Sequence, residues 1–542
     1  MLTRRVRSPT FTRRDWLKTL TAASVLTSAL PAIATQNRAA RSFHVCLSSA
    51  IVESDPALLT IVRAAGVRTV WLVGFLYSTP FSVDLLGRAR ARVERAGLEA
   101  QVLNVPLGHP SDAPGPQKSA SAIVPSVHRQ VGQRPDGKLF AGTSLHPPAT
   151  TENVEVLRGQ RQLGFQQCFL DDDFRLARSP GEIGGCFCDA HRDRFLRAGG
   201  YAAGRWAELC EDVRVRRLSP LLRAWLTFTC DELTVSFRAQ QRAFRRRLGI
   251  MVMYLGAEKA GIRLRDYRNM PFRVGELMFD DRSFAPIKGK TDELFSVLFH
   301  RRFTEPERAF SETTAAPADR LNATNMAAKL IISTLADVRQ TMFMSGLIPF
   351  PREHWDVLGS AIRQQAQMHA ELGGHRPRGP FKHFWGEAQR WVGDDRPFSL
   401  WLAAGVPFEV VESPVKTGWT FLSDFDAREL AARPGSPPSR FVCRPSAASH
   451  PPDAEIVGET LTELFAFKNR MRAKLRDVPH VAEDEPAVCA WYPTARRVLV
   501  WNLSEQPRTL TVVLGVQRRT LQLGPLAAAI TEVSAKARPA SP

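Results

Sequence analysis

The chain has 542 residues, of which 44% are hydrophobic, and its mean hydropathy is −0.19. A soluble chain of this length exceeds one ordinary core, so we expect about two or three domains. The formal net charge is +19, but the arginines are scattered and no basic stripe with interleaved aromatic residues is visible, which argues against nucleic-acid binding.

The N-terminus has the features of an export signal. Basic residues precede a modestly apolar stretch, Leu20–Leu30, that is too short to span a bilayer. The sequence AIA at 32–34 then has the small-x-small pattern that signal peptidase accepts. Because TRRDWLK at 12–18 resembles the twin-arginine motif, we predict a twin-arginine signal peptide at 1–34, which would engage the twin-arginine export machinery. The protein would be periplasmic or extracellular, without stable membrane insertion; an uncleaved basic tail is the alternative.

From about residue 42 to 375, short β-rich runs alternate with helical stretches, a pattern typical of parallel βαβ units. About eight strand–helix pairs over roughly 330 residues predict a (β/α)₈ TIM barrel with insertions, and a doubly wound open sheet is the alternative. The strand candidates are Phe43–Ser49, Val67–Phe75, Ala100–Leu107, Leu139–Leu145, Gln166–Leu170, Ile250–Leu255, Arg273–Phe279, Glu307–Thr313 and Thr341–Leu347.

Helices are predicted between these strands. One long helical stretch covers roughly residues 190–247, and two others are Asn322–Gln340 and Trp355–Leu372. Asp231 and Glu232 lie within the first of these, and we interpret them as part of a solvated helix face.

The pattern changes after the barrel. Residues 376–480 predict a small α/β domain with a strand candidate at Trp419–Ser423. Residues 487–533 are short alternating strands separated by turns, which predict a C-terminal antiparallel β domain. The predicted fold class is therefore α/β, with the barrel domain at 42–375 followed by these two smaller domains.

Three adjacent aspartates follow the buried-strand candidate Gln166–Leu170. Strand alternation points Asp171 and Asp173 to one face and Asp172 to the other. Grouped carboxylates raise at least one pKa, because like charges resist joint ionisation, and this supplies a protonated acid beside an ionised group. The alternative for any one aspartate is a helix cap or an ion pair with Arg175.

A second carboxylate should come from another strand end. Glu312 is the best candidate, near the seventh strand, and Glu276 ends the sixth. Two carboxylates at a barrel mouth suit glycoside cleavage, in which one protonates the leaving oxygen and the other attacks the sugar or activates water. Aromatic residues such as Trp71 are candidates to stack on sugar rings. The candidate substrate-binding residues are Asp171, Arg175, Glu276, Tyr254 and Trp385.

The spacing Cys186-x-Cys188-x-x-His191 provides three ligands of the kind that bind zinc. Cys168 or Cys210 is a candidate fourth ligand. The alternative is a disulfide or ordinary packing, since export permits disulfides. We expect no cofactor to be required for catalysis, and a structural zinc site is one interpretation of this spacing beside a disulfide or packing.

Several segments together resemble a known group of enzymes. They are FLDDDFRL (169–176), GCFCDAH (185–191), RVGE…GK (273–290), SETTAAP (311–317) and VWNLSEQPRTLTVVL…LGPL (500–526). These resemble uncharacterised barrel proteins of the glycoside hydrolase superfamily, and the whole layout is similar to prokaryotic β-galactosidases with a (β/α)₈ barrel.

The resemblance implies roles for particular residues. Such enzymes carry Asn-Glu after strand four as acid/base and Glu on strand seven as nucleophile, and some carry a structural cysteine–zinc site after strand four. Glu312 matches the nucleophile. Asp172 and Asp173 stand where the family has Asn-Glu and would supply the acid. Since aspartate is one methylene shorter, inversion is open beside retention.

The sequence therefore predicts an exported glycoside hydrolase that cleaves an oligo- or polysaccharide. One alternative is a carbohydrate-binding barrel without catalysis. Another is a metal-dependent hydrolase using the aspartate cluster, for which His109 and His146 are the nearby histidines. The sequence predicts no particular oligomeric state.

Overall fold

The computed structural model describes residues 40–76, 79–80, 82–108, 130–171, 174–179, 181–252, 255–274, 278–345, 347–433 and 440–533. The chain from Arg41 onward forms one compact unit. The predicted signal peptide at 1–34 lies outside the described residues. Within these ranges, no helix is both long enough and apolar enough to cross a membrane.

Eight parallel strands form a closed barrel. Each strand pairs with the next along the chain, and the eighth also pairs with the first, where Ser42 lies opposite Gln340. This confirms the predicted (β/α)₈ barrel over the open sheet. The strands are β1 (Ser42–Leu47), β2 (Thr69–Leu76), β3 (Glu99–Val105), β4 (Gln167–Leu170), β5 (Arg247–Val252), β6 (Phe272–Val274), β7 (Ala309–Thr314) and β8 (Gln340–Met344).

The predicted strand Leu139–Leu145 is not part of the barrel. Leu139–Thr143 pairs instead with Val131–Gln133 in an antiparallel hairpin. The Asp-Gly dipeptide ending at Gly137 explains this difference, because its positive φ of 81° suits the tight turn of a hairpin. The insertion therefore lies between β3 and β4, on the side where β3 ends.

Helices connect the barrel strands, and their apolar faces pack against the sheet. The predicted helical stretch at 190–247 is three helices, because Gly200 ends the first with a positive φ of 64° and Ser219 caps the third. The helices are α1 (Ser49–Ser54), α2 (Ala57–Ala65), α3 (Val83–Arg95), α4 (Ala149–Gln162), α5 (Asp189–Gly199), α6 (Arg205–Val215), α7 (Pro220–Phe244), α8 (Asp281–Phe284), α9 (Ile287–His300), α10 (Ala323–Leu335) and α11 (His354–Leu372).

Large side chains fill the interior of the barrel. The ring centroids of Trp71 and Phe169 are 4.8 Å apart, and those of Phe169 and Phe310 are 4.9 Å apart. Met342 from β8 belongs to the same buried cluster. Trp71 is therefore a core residue and offers no stacking face to a sugar.

A second, parallel sheet follows the barrel. Its strand order is β10-β9-β11-β12-β13, and three helices accompany it. The structure has more strands here than the sequence predicts. The elements are β9 (Phe381–Phe384), β10 (Phe408–Val411), β11 (Trp419–Leu422), β12 (Arg440–Cys443), β13 (Glu455–Ile456), α12 (Glu387–Val392), α13 (Asp424–Ala432) and α14 (Leu461–Met471).

The C-terminal part is antiparallel, as the sequence predicts. Two three-stranded sheets have the orders β14-β17-β18 and β15-β16-β19. The strands are β14 (His480–Val481), β15 (Ala487–Tyr492), β16 (Arg497–Asn502), β17 (Arg508–Leu514), β18 (Gln517–Leu523) and β19 (Ala528–Glu532).

Buried contacts join the second sheet to the loop that follows β5. The Trp385 indole donates to the carbonyl of Leu255 at 3.3 Å. Lys259, which is fully buried, pairs with Asp395 at 2.8 Å. These contacts fix the backbone of that loop next to the barrel mouth.

Candidate active site and metal centre

Two carboxylates lie at the C-terminal end of the barrel interior. Asp171 follows β4, and Glu312 is on β7, two residues beyond the interior rings of Phe169 and Phe310 respectively. Because side chains of a strand alternate, both carboxylates point into the barrel one level above those rings. They are 2% and 1% exposed. The two strands thus bring carboxylates to the level where barrel enzymes carry out chemistry.

A buried arginine on β6 joins the two carboxylates. The Arg273 Nη2 pairs with Asp171, and its Nε lies 2.9 Å from Glu312 Oε2. Arg273 stands over the Phe169 ring, with its Cζ 5.4 Å from the centroid. The Thr314 hydroxyl donates to the other Glu312 oxygen. Asp171 and Glu312 therefore face the same guanidinium group, which fixes their separation.

Asp171, Arg273 and Glu312 place two carboxylates and one guanidinium together in a buried space. The nearby Cys46 thiol is affected by these charges: burial raises its pKa most, and the negative charge of Asp171 raises it further.

Four of the predicted site residues lie outside the described residues: Asp172, Asp173, Tyr254 and Glu276. Arg175 is 5% exposed in the loop that follows β4. Trp385 is 2% exposed, and its ring packs against Phe295 with centroids 5.5 Å apart. Arg175 and Trp385 are thus both buried, and the ring of Trp385 presents no open face.

A second constellation lies in the same loop region. The ligand atoms of His146, Cys186, Cys188 and His191 all lie within 4.8 Å of one another, and all four residues are buried. The Cys186 and Cys188 sulfurs lie 3.6 and 3.7 Å from His146 Nε2, and Cys188 Sγ lies 3.2 Å from His191 Nδ1. The structure thus brings the three predicted ligands together and adds His146 as the fourth, in place of Cys168 or Cys210.

These distances fit a tetrahedral metal ion. With zinc–sulfur bonds of about 2.3 Å and zinc–nitrogen bonds of about 2.1 Å, tetrahedral sulfur and nitrogen ligands are about 3.6 Å apart. Two cysteines with two histidines are also a donor set that zinc prefers. The residues present therefore fit a structural zinc ion, with the four protein ligands completing its coordination.

Glu232 supports one of the four ligands from the next layer. His191 directs Nδ1 at Cys188, and its Nε2 lies 3.4 Å from Glu232 Oε2. Glu232 is 18% exposed and also pairs with Arg194 at 2.8 Å. A carboxylate on the far ring nitrogen fixes the orientation of a histidine ligand. The interpretation of Glu232 as part of a solvated face is therefore wrong.

Protonation within the cluster follows from these contacts. Burial raises the pKa of Cys186, but hydrogen bonds with His146 and His191 outweigh burial and lower it to about 5. Burial lowers the pKa of His191, but Cys186, Glu232 and Cys188 raise it to about 10. These shifts favour a thiolate on Cys186 paired with an imidazolium on His191.

Sequence reasoning missed three residues of these sites: Arg273, His146 and Glu232. The sequence predicts Arg273 in the short strand that precedes Gly275. It does not predict which carboxylates Arg273 pairs with. His146 is 40 residues from Cys186 along the chain. Only the hairpin that precedes His146 brings it to the cluster, and that hairpin was interpreted as a barrel strand.

No protein-family profile matches the chain, and no curated protein matches it either. Among solved structures, the chain is similar to α-L-fucosidase isoenzyme 2 from Paenibacillus thiaminolyticus, with 9% identity, a TM-score of 0.49, and coverage of 85% of this chain and 88% of that chain.

Two further structures are similar at lower TM-scores. One is a GH27 β-L-arabinopyranosidase from Geobacillus stearothermophilus, with 7% identity, a TM-score of 0.42, and coverage of 92% of this chain and 97% of that chain. The other is a debranching enzyme from Nostoc punctiforme, with 8% identity, a TM-score of 0.36, and coverage of 92% and 98%. At these identities and TM-scores, no activity is transferred from the likeness.

Proposed function

We propose that the protein is an exported glycoside hydrolase that cleaves a glycosidic bond in an oligo- or polysaccharide. One observation carries this proposal: carboxylates from β4 and β7, Asp171 and Glu312, face a single guanidinium at the C-terminal end of the barrel. Glycoside cleavage requires two carboxylates on either side of the scissile bond; Glu312 is one candidate, and Asp172 and Asp173, which directly follow Asp171 in the sequence, are the candidates for the other. The resemblance to barrel glycoside hydrolases in the segments around these residues supports the same reaction.

Glu312 is the proposed nucleophile or general base. Its ion pair with Arg273 keeps the carboxylate oriented, and Thr314 donates to its second oxygen. Asp172 or Asp173 would protonate the leaving oxygen, since they follow Asp171 where β4 ends. The leaving oxygen takes this proton as its bond to the anomeric carbon breaks. Water then takes the place of the leaving group at the anomeric carbon.

We further propose that His146, Cys186, Cys188 and His191 hold a structural zinc ion. Such an ion would join the segment after the hairpin to the loop after β4. That loop begins at Asp171, so the ion would stabilise the backbone from which the acid is presented. Replacing Cys186 with serine should lower the zinc content of purified protein from about one ion per chain to near zero, and unchanged zinc content would contradict this assignment.

A location outside the cytoplasm remains part of the proposal. Its basis is the twin-arginine-like segment at 12–18 and the AIA pattern at 32–34. Expressing the full chain with a reporter, beside a variant with Arg13 and Arg14 both changed to lysine, tests it. The reporter should be exported only from the unaltered chain.

A non-catalytic carbohydrate-binding barrel is the second candidate, and one observation favours it. Glu312 is only 1% exposed and is held by Arg273, so a substrate must displace neighbouring groups to reach it. A metal-dependent hydrolase built on the aspartates has less support. The only metal-capable cluster among the described residues contains no aspartate.

Hydrolysis of a panel of aryl glycosides by residues 35–542 separates the first two candidates. Glu312→Gln and Asp172→Asn run beside the unaltered protein, and Asp231→Asn on the surface of α7 is the matched control. Turnover of one glycoside that is lost in the first two variants and retained in the control would support hydrolysis. Absence of turnover from folded protein that binds polysaccharide would support the binding barrel.

A further inference from the structure

A cavity of about 570 Å³ lies beside the loop that follows β4. Its walls are residues 177–178, 182–185 and 187 of that loop, the hairpin with Phe140, and helix α6. Sites for small ligands have volumes of roughly 300–1,000 Å³, so this cavity has room for one or more sugar rings. Neither Asp171 nor Glu312 lines it, so it is separate from the carboxylate site.

Opposite charges line the cavity in unequal number. Four arginines and three carboxylates are present among its lining residues. Two arginines are neutralised by close partners: Arg178 bonds Glu182 at 2.9 Å, and Arg214 bonds Glu211 at 2.6 Å. The remaining lining charges are Arg134, Arg216 and Asp136.

Among the described residues, the remaining two arginines make no hydrogen bond to a carboxylate. The nearest carboxylates to Arg134 are Asp136 at 3.8 Å and Glu182 at 4.0 Å, which is longer than a hydrogen bond. Asp136 is also shared with Lys138 at 3.8 Å. The Arg216 guanidinium donates to backbone carbonyls, at 2.6 Å to Val392 and 2.8 Å to Gly393. Carbonyls orient a guanidinium but do not cancel its charge.

The geometry points to a carboxylate-bearing sugar as the ligand of this cavity. We propose that it binds a uronic acid unit of the glycan substrate, with Arg134 as its charge partner, an inference that rests on the proposed glycosidase function. Guanidinium pairs with carboxylate through two parallel hydrogen bonds. Phe140, Ile183 and Phe187 add apolar surface that suits the C–H face of a sugar ring.

The metal-type cluster supports one wall of this cavity. Cys186 stands between Gly185 and Phe187, which both line the cavity. The Phe187 amide donates to the Gln133 carbonyl at 2.8 Å, and the Gln133 amide donates to Cys186 Sγ at 3.4 Å. The wall is therefore fixed to the hairpin, so the cavity keeps its shape without a ligand.

Cys210 offers a direct report of occupancy. It lines the cavity, and it is half-buried while the other seven cysteines are buried. Alkylation of Cys210 by N-ethylmaleimide, followed by peptide mapping, measures access to the cavity. The probes are trigalacturonate and a β-1,4-linked triglucuronate, each beside its methyl ester, which keeps the shape and removes the charge. Glu312→Gln protein is used, so that hydrolysis does not consume the probe.

At least one of the two acids, trigalacturonate or triglucuronate, should slow the alkylation of Cys210. That acid should also bind at least about tenfold more tightly than its methyl ester, because the ester lacks a charge-assisted hydrogen bond. Arg134→Gln should remove this preference, and Arg158→Gln, an exposed arginine on α4, should leave it unchanged. Ala207→Trp, which fills the cavity from the exposed side of α6, should abolish binding measured by equilibrium dialysis. Ala203→Trp is its control outside the cavity.

Equal binding of acids and esters, failure of both acids to protect Cys210, or an unchanged preference in Arg134→Gln would overturn the proposal. Failure of the proposed function gives a different result. If acid-selective binding persists but no glycoside is hydrolysed by the unaltered protein, the cavity assignment stands and the catalytic assignment falls. If neutral glycosides are hydrolysed without acid-selective binding, only the cavity assignment falls.

Discussion

Changing Arg273 to methionine tests whether one buried cation holds the barrel mouth together. The guanidinium is fully buried, and its partners Asp171 and Glu312 have side chains only 3% and 2% exposed. Methionine keeps most of the side-chain volume and matches the neighbouring Met251 and Met342, which lie 2.8 and 2.9 Å from the guanidinium nitrogens. The main change is therefore the loss of one positive charge.

The size of the effect follows from the burial. Removing one partner of a buried ion pair costs about 3–5 kcal/mol, because the opposite charge stays behind in a dry environment. For a folded unit of this size the entropy of unfolding is about 1 kcal/mol per kelvin, so the melting temperature should fall by about 3–5 °C. Differential scanning fluorimetry at one fixed scan rate measures this change, since large proteins often unfold irreversibly.

A compensating variant makes the reasoning testable. In the triple variant Arg273→Met, Asp171→Asn, Glu312→Gln, neither carboxylate remains, so most of the lost melting temperature should return. Arg273→Lys keeps the charge and should lose less than the methionine variant. If Arg273→Met melts with the unaltered protein, or if the triple variant melts no higher than Arg273→Met, the ion pairs do not stabilise the fold.

Two further predictions concern other buried groups. Glu232→Gln should weaken zinc binding by about 10- to 100-fold because His191 loses its supporting carboxylate, whereas the neighbouring Asp231→Asn should leave zinc affinity unchanged. Competition with a chromogenic chelator measures the zinc affinity of both variants. Equal affinities would contradict the supporting role of Glu232. Burial raises the pKa of Asp426 to about 7, although hydrogen bonds from the Gly386 and Gln389 amides lower it in part. The contribution of Asp426 to stability is therefore full below about pH 4 and is lost as the pH rises through about 7. The melting temperature of Asp426→Asn relative to the unaltered protein should therefore rise between pH 5 and 8, by an amount equivalent to at most about 3 kcal/mol. A difference that is constant with pH would disprove this.

The barrel was predictable because its signals are local. Strand β2 is a run of mostly β-branched, aliphatic and aromatic residues and is followed by helix α3, which is the pattern of a parallel sheet covered on its outside. The sequence placed Gln166–Leu170 near the fourth strand and Glu312 near the seventh, although the nine strand candidates included Leu139–Leu145. The hairpin at Leu139–Thr143 was misread because a five-residue strand has the same composition in a hairpin and in a barrel.

The candidate sites were predictable only in part, because side-chain partners depend on the register between strands. Glu312 was predicted, but Arg273 was not, since its contact with Glu312 requires Phe310 to lie opposite Arg273 in the β6–β7 pair. Three of the four metal-type ligands lie within six residues of chain and were recognised from spacing. The fourth, His146, arrives through tertiary packing, which no local pattern encodes.

The contact between the second sheet and the loop after β5 restricts which sequence changes that loop can accept. That loop carries Glu258 and Lys259, whose partners Arg390 and Asp395 belong to the neighbouring α/β segment. In an isolated barrel, loops at the mouth can vary freely while the strands keep the fold. Here a change in the β5 loop requires a matching change more than 100 residues later, at Arg390 or Asp395. New specificity should therefore arise more readily in the insertion between β3 and β4 than in the β5 loop.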